Sequence, residues 1–170
     1  MKLHLGCGNN ILSGWVNVDH ESTVADLSVD LTVMPWPWGN NSVDEILMQQ
    51  VLEHFDRPEL ILAEAYRILK PGGKITVEVP HASSTRAYSI DHKAVFARCF
   101  FEGMSRGTHY FTSRNSCCFS EIKYAVKLIG RLRWTPFDWI ASRWPIMWEK
   151  LSDGIFRPTE ILWIARKPND

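Results

Sequence analysis

The chain has 170 residues, 19 basic and 19 acidic side chains, 45% hydrophobic residues and a mean hydropathy of -0.16. This is the length of one domain able to bury roughly 70% of its unfolded surface. The neutral total excludes a wholly basic nucleic-acid binder, and no apolar run approaches the roughly 20 residues of a membrane-spanning helix.

Met1-Lys2-Leu3-His4-Leu5-Gly6 lacks the sustained apolar stretch of a secretory signal, so a cytoplasmic protein is expected. The charges are divided along the chain. Residues 1–60 carry Lys2 and Arg57 against nine acids, and the remaining 110 carry seventeen bases against ten acids. An acidic front therefore precedes a basic back. Cys7, Cys99, Cys117 and Cys118 show no metal-type C-x-x-C spacing and read as reduced thiols.

Taken in order, Leu3 and Leu5 predict a short buried strand that ends in the turn Gly6-Cys7-Gly8-Asn9-Asn10. Trp15 to Asp19 is a second apolar run ending on an acid, and Ala25 to Asp30 reads as a third. After the turn Asn40-Asn41-Ser42, Val43 to Met48 forms the next strand. Pro58 opens the clearest helix, with Leu60, Ile61, Ala63, Ala65, Ile68 and Leu69 at helical spacing and Pro71-Gly72-Gly73 closing it. Lys74 to Pro80 is a strand of period two. Further on, Lys93 to Phe101 predicts a helix, Ile122 to Leu132 a strand or strand pair, and Glu160 to Arg166 a final strand. Strand, helix and strand in this order predict a mostly parallel α/β sheet in a single domain.

Gly6-x-Gly8 directly after a strand lets backbone approach a ligand closely. The spacing is neither G-x-G-x-x-G, since position 11 is Ile, nor a P-loop. Asp19 ends the next strand, where α/β folds place a carboxylate for a ribose diol. Together they suggest a nucleoside cofactor with no pyrophosphate requirement.

Several motifs in register over residues 3–80 point one way. Leu3-His4-Leu5-Gly6-Cys7-Gly8, Asp30-Leu31-Thr32-Val33-Met34-Pro35-Trp36-Pro37, Asn41-Ser42-Val43-Asp44, Val51-Leu52-Glu53-His54 and Arg67-Ile68-Leu69-Lys70-Pro71-Gly72-Gly73-Lys74 resemble the ordered motifs of class I S-adenosylmethionine-dependent methyltransferases. The resemblance implies a Rossmann-like fold: a mostly parallel twisted sheet with helices on both faces and an antiparallel last strand. It also implies a direct methyl transfer. Leu5, Gly6, Cys7 and Gly8 would form the loop under the methionine part, with Asp19 and its neighbour His20 at the ribose. Asp30 and the Leu31 N–H would face the adenine, Gln49 the amino-acid end through its carbonyl, and His54 would complete the cofactor set.

The departures carry information too. His4 stands where an acid is common, and Asn10 where a third glycine often appears. Only ten residues separate Gly8 from Asp19, so the first crossover has room for a single helical turn at most. One sheet face is then thinly covered, and the Trp-rich C-terminal part or a second subunit, as in a homodimer, is expected to cover it. Transfer needs alignment and, for a hydroxyl or protonated amine, a base. His81 and His92 are the candidates, with His109 and Tyr110 behind them; no metal ligand set is expected.

The acceptor is read as a small molecule or sugar, and the basic back half hints at an acidic or polar one. Trp134, Phe137, Trp139, Trp144 and Trp148, interleaved with Arg131, Arg133 and Arg143, read as a core-covering segment, an aromatic acceptor platform, or a membrane or nucleic-acid contact. No nucleic-acid partner is expected. A non-catalytic cofactor-binding or partner subunit, or a methyltransferase working at a membrane or nucleic-acid surface, stays open as the alternative.

Overall fold

A computed structural model describes residues 1–106, 118–128, 143–144 and 158–169. His109, Tyr110, Cys117 and the Trp- and Arg-rich stretch, apart from Arg143 and Trp144, lie outside them. Four strands, β1 (Lys2–Leu5), β2 (Val16–Val18), β3 (Val43–Gln49) and β4 (Leu69–Pro80), pair in parallel. Two more, β5 (Ser120–Leu128) and β6 (Pro158–Arg166), form an antiparallel pair, and β6 also runs antiparallel to β4. The order across the six-stranded sheet is β2-β1-β3-β4-β6-β5.

Helix α1 (Pro58–Ile68) joins β3 to β4 and begins with proline, whose fixed φ and missing N–H suit the first turn. Its buried Ile61, Leu62, Ala65 and Ile68 pack on Leu3, Leu5, Ile46, Met48, Ile75 and Val77. At its other end Lys167, just past β6, donates from Nζ to the Tyr66 and Leu69 carbonyls at 2.9 and 3.0 Å, filling acceptors that a helix end leaves open. Helix α2 (Arg98–Arg106) packs Phe101 against Trp163 and Tyr124. In strands, alternate residues face opposite ways. The buried set Ile75, Val77, Val79, Ile161, Trp163 and Ala165 is thus one face, and among the described residues both helices lie on it. The opposite face is polar and partly exposed: Glu45 pairs with Lys2 and Lys74, and Lys127 with Glu78 and Glu160.

Three expected elements differ from what is seen. Ala25–Asp30 is no strand, because only Leu27 bridges Val18 before the chain turns at Asp30. The helix expected at Lys93–Phe101 is shifted to Arg98–Arg106. The Lys93 and Ala94 N–H groups bond instead to the Glu53 carbonyl, and Phe96 bridges His81. Strand β4 starts at Leu69, immediately after α1, so Pro71-Gly72-Gly73 lies within it instead of between the two elements.

No helix fills the first crossover. A loop runs from Gly6 to Trp15, and Asn17, 2% exposed, holds it. Its Oδ1 accepts from Leu12 N–H at 2.9 Å, and Nδ2 donates to the Leu12 and Trp15 carbonyls and to Asp26. One buried amide thus does the work of a missing helix. Asn17→Ala should destabilise the protein by about 1–3 kcal/mol, since it removes the acceptor of the part-buried Leu12 N–H and the donor to the Trp15 carbonyl. Urea unfolding measures this, and Asn17→Asp, which keeps the acceptor but sets a second carboxylate against Asp26, should fare no better. Among the described residues no helix is long and apolar enough to cross a membrane.

Candidate functional site

A cavity of about 560 Å³ opens beyond the carboxyl ends of β1, β2 and β3, where open α/β sheets bind their ligands. Each wall grows from a strand end. Gly6 and Gly8 follow β1, Asp19, His20 and Glu21 follow β2, and Gln50, Val51, His54 and Phe55 follow β3. Val29, Asp30, Leu31 and Thr32 form the far wall and Asp91 the rim.

Gly6 is required twice over. Its φ of +65° is left-handed, and a Cβ there would sit 2.4 Å from Val51 Cγ2. The Gly6 and Cys7 N–H groups both bond to the Val18 carbonyl, tying the loop to β2. Gly8 also has positive φ, +51°, and nothing lies within 4 Å of where its Cβ would be, so bare backbone faces open space.

Asp19 anchors the same loop. Oδ2 accepts from Gly8 N–H at 2.9 Å, and Oδ1 from Glu21 and Ser22 N–H at 2.9 and 3.1 Å. Burial would raise its pKa, but these three N–H donors outweigh it and hold the carboxyl below its ordinary value. A carboxylate offers about four acceptor positions, so one is left for a ligand hydroxyl. Asp30 has a similar reserve: Thr32 donates to Oδ1 from both its hydroxyl and its N–H, at 2.7 and 2.8 Å, and these bonds lower its pKa.

The other sequence candidates fall into three groups. His20 and Leu31 line the cavity, and His54 stands at its rim. Leu5 and Cys7 are buried behind the loop, and burial raises the Cys7 thiol pKa. Gln49 does not line the cavity. It is the last residue of β3, and its side chain reaches Glu78 at 3.3 Å and Asn10 at 3.5 Å. The lining position passes to Gln50, whose φ of 55° turns the chain out of the strand.

His81 is not a lining residue either. It is buried at the end of β4, with Nδ1 accepting from Ser83 N–H at 3.0 Å and facing Ser83 Oγ at 2.8 Å. His92 lies one layer behind the rim, its ring meeting that of His54 edge to face at 4.9 Å. His4, opposite Asn17 in the sheet, is 1% exposed, and burial lowers its pKa while bonds to Asn17 and Asn10 oppose the shift.

Sequence reading missed Glu21, Val29, Thr32, Val51, Phe55 and Asp91. Only Thr32 had a local signal, its two-residue spacing from Asp30; Val51 meets Gly6 across 45 positions. The lining holds four carboxylates, Asp19, Glu21, Asp30 and Asp91, and no lysine or arginine. Beside it Glu53 is 1% exposed with neither oxygen hydrogen-bonded, and burial raises its pKa to about 7.

Residues 3–77 match a family model described as "Methyltransferase domain". No curated protein matches the chain. Among solved structures, an S-adenosylmethionine-dependent methyltransferase from Archaeoglobus fulgidus is 16% identical, with a TM-score of 0.63 over 98% of this chain and 85% of that one. A putative methyltransferase of Haloferax volcanii, solved with the Trm112 methyltransferase activator, is 17% identical at a TM-score of 0.58, covering 99% and 82%. Phosphoethanolamine N-methyltransferase 2 of Haemonchus contortus, in complex with S-adenosyl-L-methionine, is 15% identical at 0.57, covering 98% and 48%.

Proposed function

We propose, starting from the match of residues 3–77 to a methyltransferase-domain model, that the chain binds S-adenosylmethionine in the 560 Å³ cavity and methylates a small-molecule or sugar acceptor. The observation that carries this is the charge of the lining. Four carboxylates and no fixed positive charge suit a cationic sulfonium nucleoside and repel the phosphates of a dinucleotide or nucleoside triphosphate. Three of the four, Asp19, Glu21 and Asp30, belong to the acidic front of the chain and give it a purpose.

The residues fit that ligand. Asp19 keeps one acceptor position for the ribose hydroxyls, Asp30 keeps Oδ2 for the adenine amino group, and the bare backbone of Gly8 permits close approach. Bound there, S-adenosylmethionine supplies a methyl carbon on a sulfonium, open to in-line displacement by an acceptor oxygen. The chain's part would be alignment: Asp19 and Asp30 would hold the nucleoside, and an acceptor would enter near His54 and Asp91.

Calorimetric titration tests the reading. The wild type should bind S-adenosylmethionine with one site, and Asp19→Ala should weaken binding about 100-fold, the loss of charge-assisted bonds. Asp30 is exposed, so Asp30→Ala should leave the fold intact and cost about tenfold. No wild-type binding, or equal binding by both variants, overturns the assignment.

A further inference from the structure

We propose that Glu53, His54 and His92 form a binding site for a divalent transition-metal ion of the zinc class at the rim of the cleft. Their ligand atoms lie within 4.8 Å of one another, a cluster found once among the described residues. Donors around a tetrahedral zinc stand roughly 3.3 Å apart, so side-chain rotation closes the set.

Two segments far apart in sequence are locked together to make it. The 3₁₀ turn Leu52–His54 supplies Glu53 and His54, and the loop after β4 supplies His92. Lys93 and Ala94 donate their N–H groups to the Glu53 carbonyl at 2.8 and 3.1 Å, which fixes the loop on the turn.

The polar accounting points to a missing cation. Both Glu53 oxygens are sealed from solvent without a donor, and so is His92 Nδ1. Buried carboxylates are ordinarily paired, hydrogen-bonded or metal-bound. The adjacent lysine does not serve, because Lys93 Nζ turns to Asp56 at 3.0 Å. His54 Nδ1 lies 3.2 Å from the Asp91 carbonyl, the type of outer contact that orients a ligating imidazole.

Two imidazoles and one carboxylate select a zinc-class ion over calcium or magnesium, which take oxygen donors. Three protein ligands leave a coordination position open. On this assignment His92 is a ligand and not a proton acceptor. The site shares His54 with the lining of the cofactor cavity, but no nucleoside contact enters the argument.

The test is cobalt titration of the full chain after chelation, without S-adenosylmethionine. One equivalent of Co²⁺ should bring up the visible d–d bands of a low-coordinate site, and Zn²⁺ should displace it. His92→Ala and the near-isosteric Glu53→Gln should each weaken Co²⁺ binding at least tenfold, with S-adenosylmethionine binding and circular dichroism reporting that each variant is folded. His20→Ala should bind Co²⁺ as the wild type does. Absence of a saturable one-equivalent site, or equal binding by folded His92→Ala and Glu53→Gln, overturns the proposal and shows Glu53 to be held as a neutral acid. Loss of S-adenosylmethionine binding with cobalt binding retained would count against the cofactor reading alone.

Discussion

Gly6→Ala will cost the fold about 2–5 kcal/mol and, on the cofactor assignment proposed above, lower S-adenosylmethionine affinity by at least an order of magnitude. Two independent terms make up the range. A left-handed φ costs an alanine about 1–2 kcal/mol. The new methyl then meets Val51, and overpacking of this kind costs about 1–3 kcal/mol. The double variant Gly6→Ala/Val51→Ala separates the terms: it should relieve the clash and leave the backbone cost, beyond what Val51→Ala loses alone. Urea midpoints read the stability and calorimetry the affinity. A Gly6→Ala protein as stable as the wild type would show that the loop reaches its shape without the left-handed residue.

The second large effect is expected far from the cavity wall. Glu64 on α1 is buried, and its Oε1 accepts from the Trp36 N–H at 2.7 Å and from Arg67 at 2.6 Å. Arg67 in turn donates to the Trp36 and Trp38 carbonyls and to Asn40. Trp36, 2% exposed, passes the constraint on through Nε1 to the Leu31 carbonyl at 3.0 Å, and Leu31 lines the cavity. Glu64→Ala leaves a buried N–H without its acceptor and a guanidinium without its counter-charge, so about 3 kcal/mol of stability should go. Affinity for S-adenosylmethionine should fall with it. Glu64→Gln keeps the acceptor for Trp36 and should recover roughly half the stability. If affinity held while stability fell, the Trp36 link to Leu31 would carry no positional information.

The regular part of this architecture was legible because its signals are local. Short apolar stretches marked β1 to β3, a period of two marked Lys74 to Pro80 in β4, and Pro58 marked the start of α1. Asp19 and His20 reach the cavity because they follow the end of β2, which sequence reveals; Asp30, Leu31 and His54 also line it, and they were named through the family resemblance, no strand preceding Asp30. What escaped was set by distant partners. The start of α2 was misplaced since Lys93 and Ala94 answer to Glu53, forty residues earlier, and not to their own helical period. Gln49 gave way to Gln50 because strand β3 runs one residue further than its apolar run. Glu53 gave no hint of its isolation, because a Leu-Glu-His triplet has the same appearance on a surface turn as in a sealed one.

The strand order has a bearing on how the chain is made. The last strand in sequence, β6, is an inner strand of the sheet, with β4 on one side and β5 on the other. Until Pro158 and the residues after it have left the ribosome, β4 carries an open hydrogen-bonding edge and β5 has no partner in this sheet. The parallel strands β1 to β4 can therefore form before β6 is made, whereas the sheet closes only once β6 has emerged. A nascent chain halted short of Pro158 would present an unpaired edge to its neighbours, and that edge is where chaperone contact or aggregation would begin.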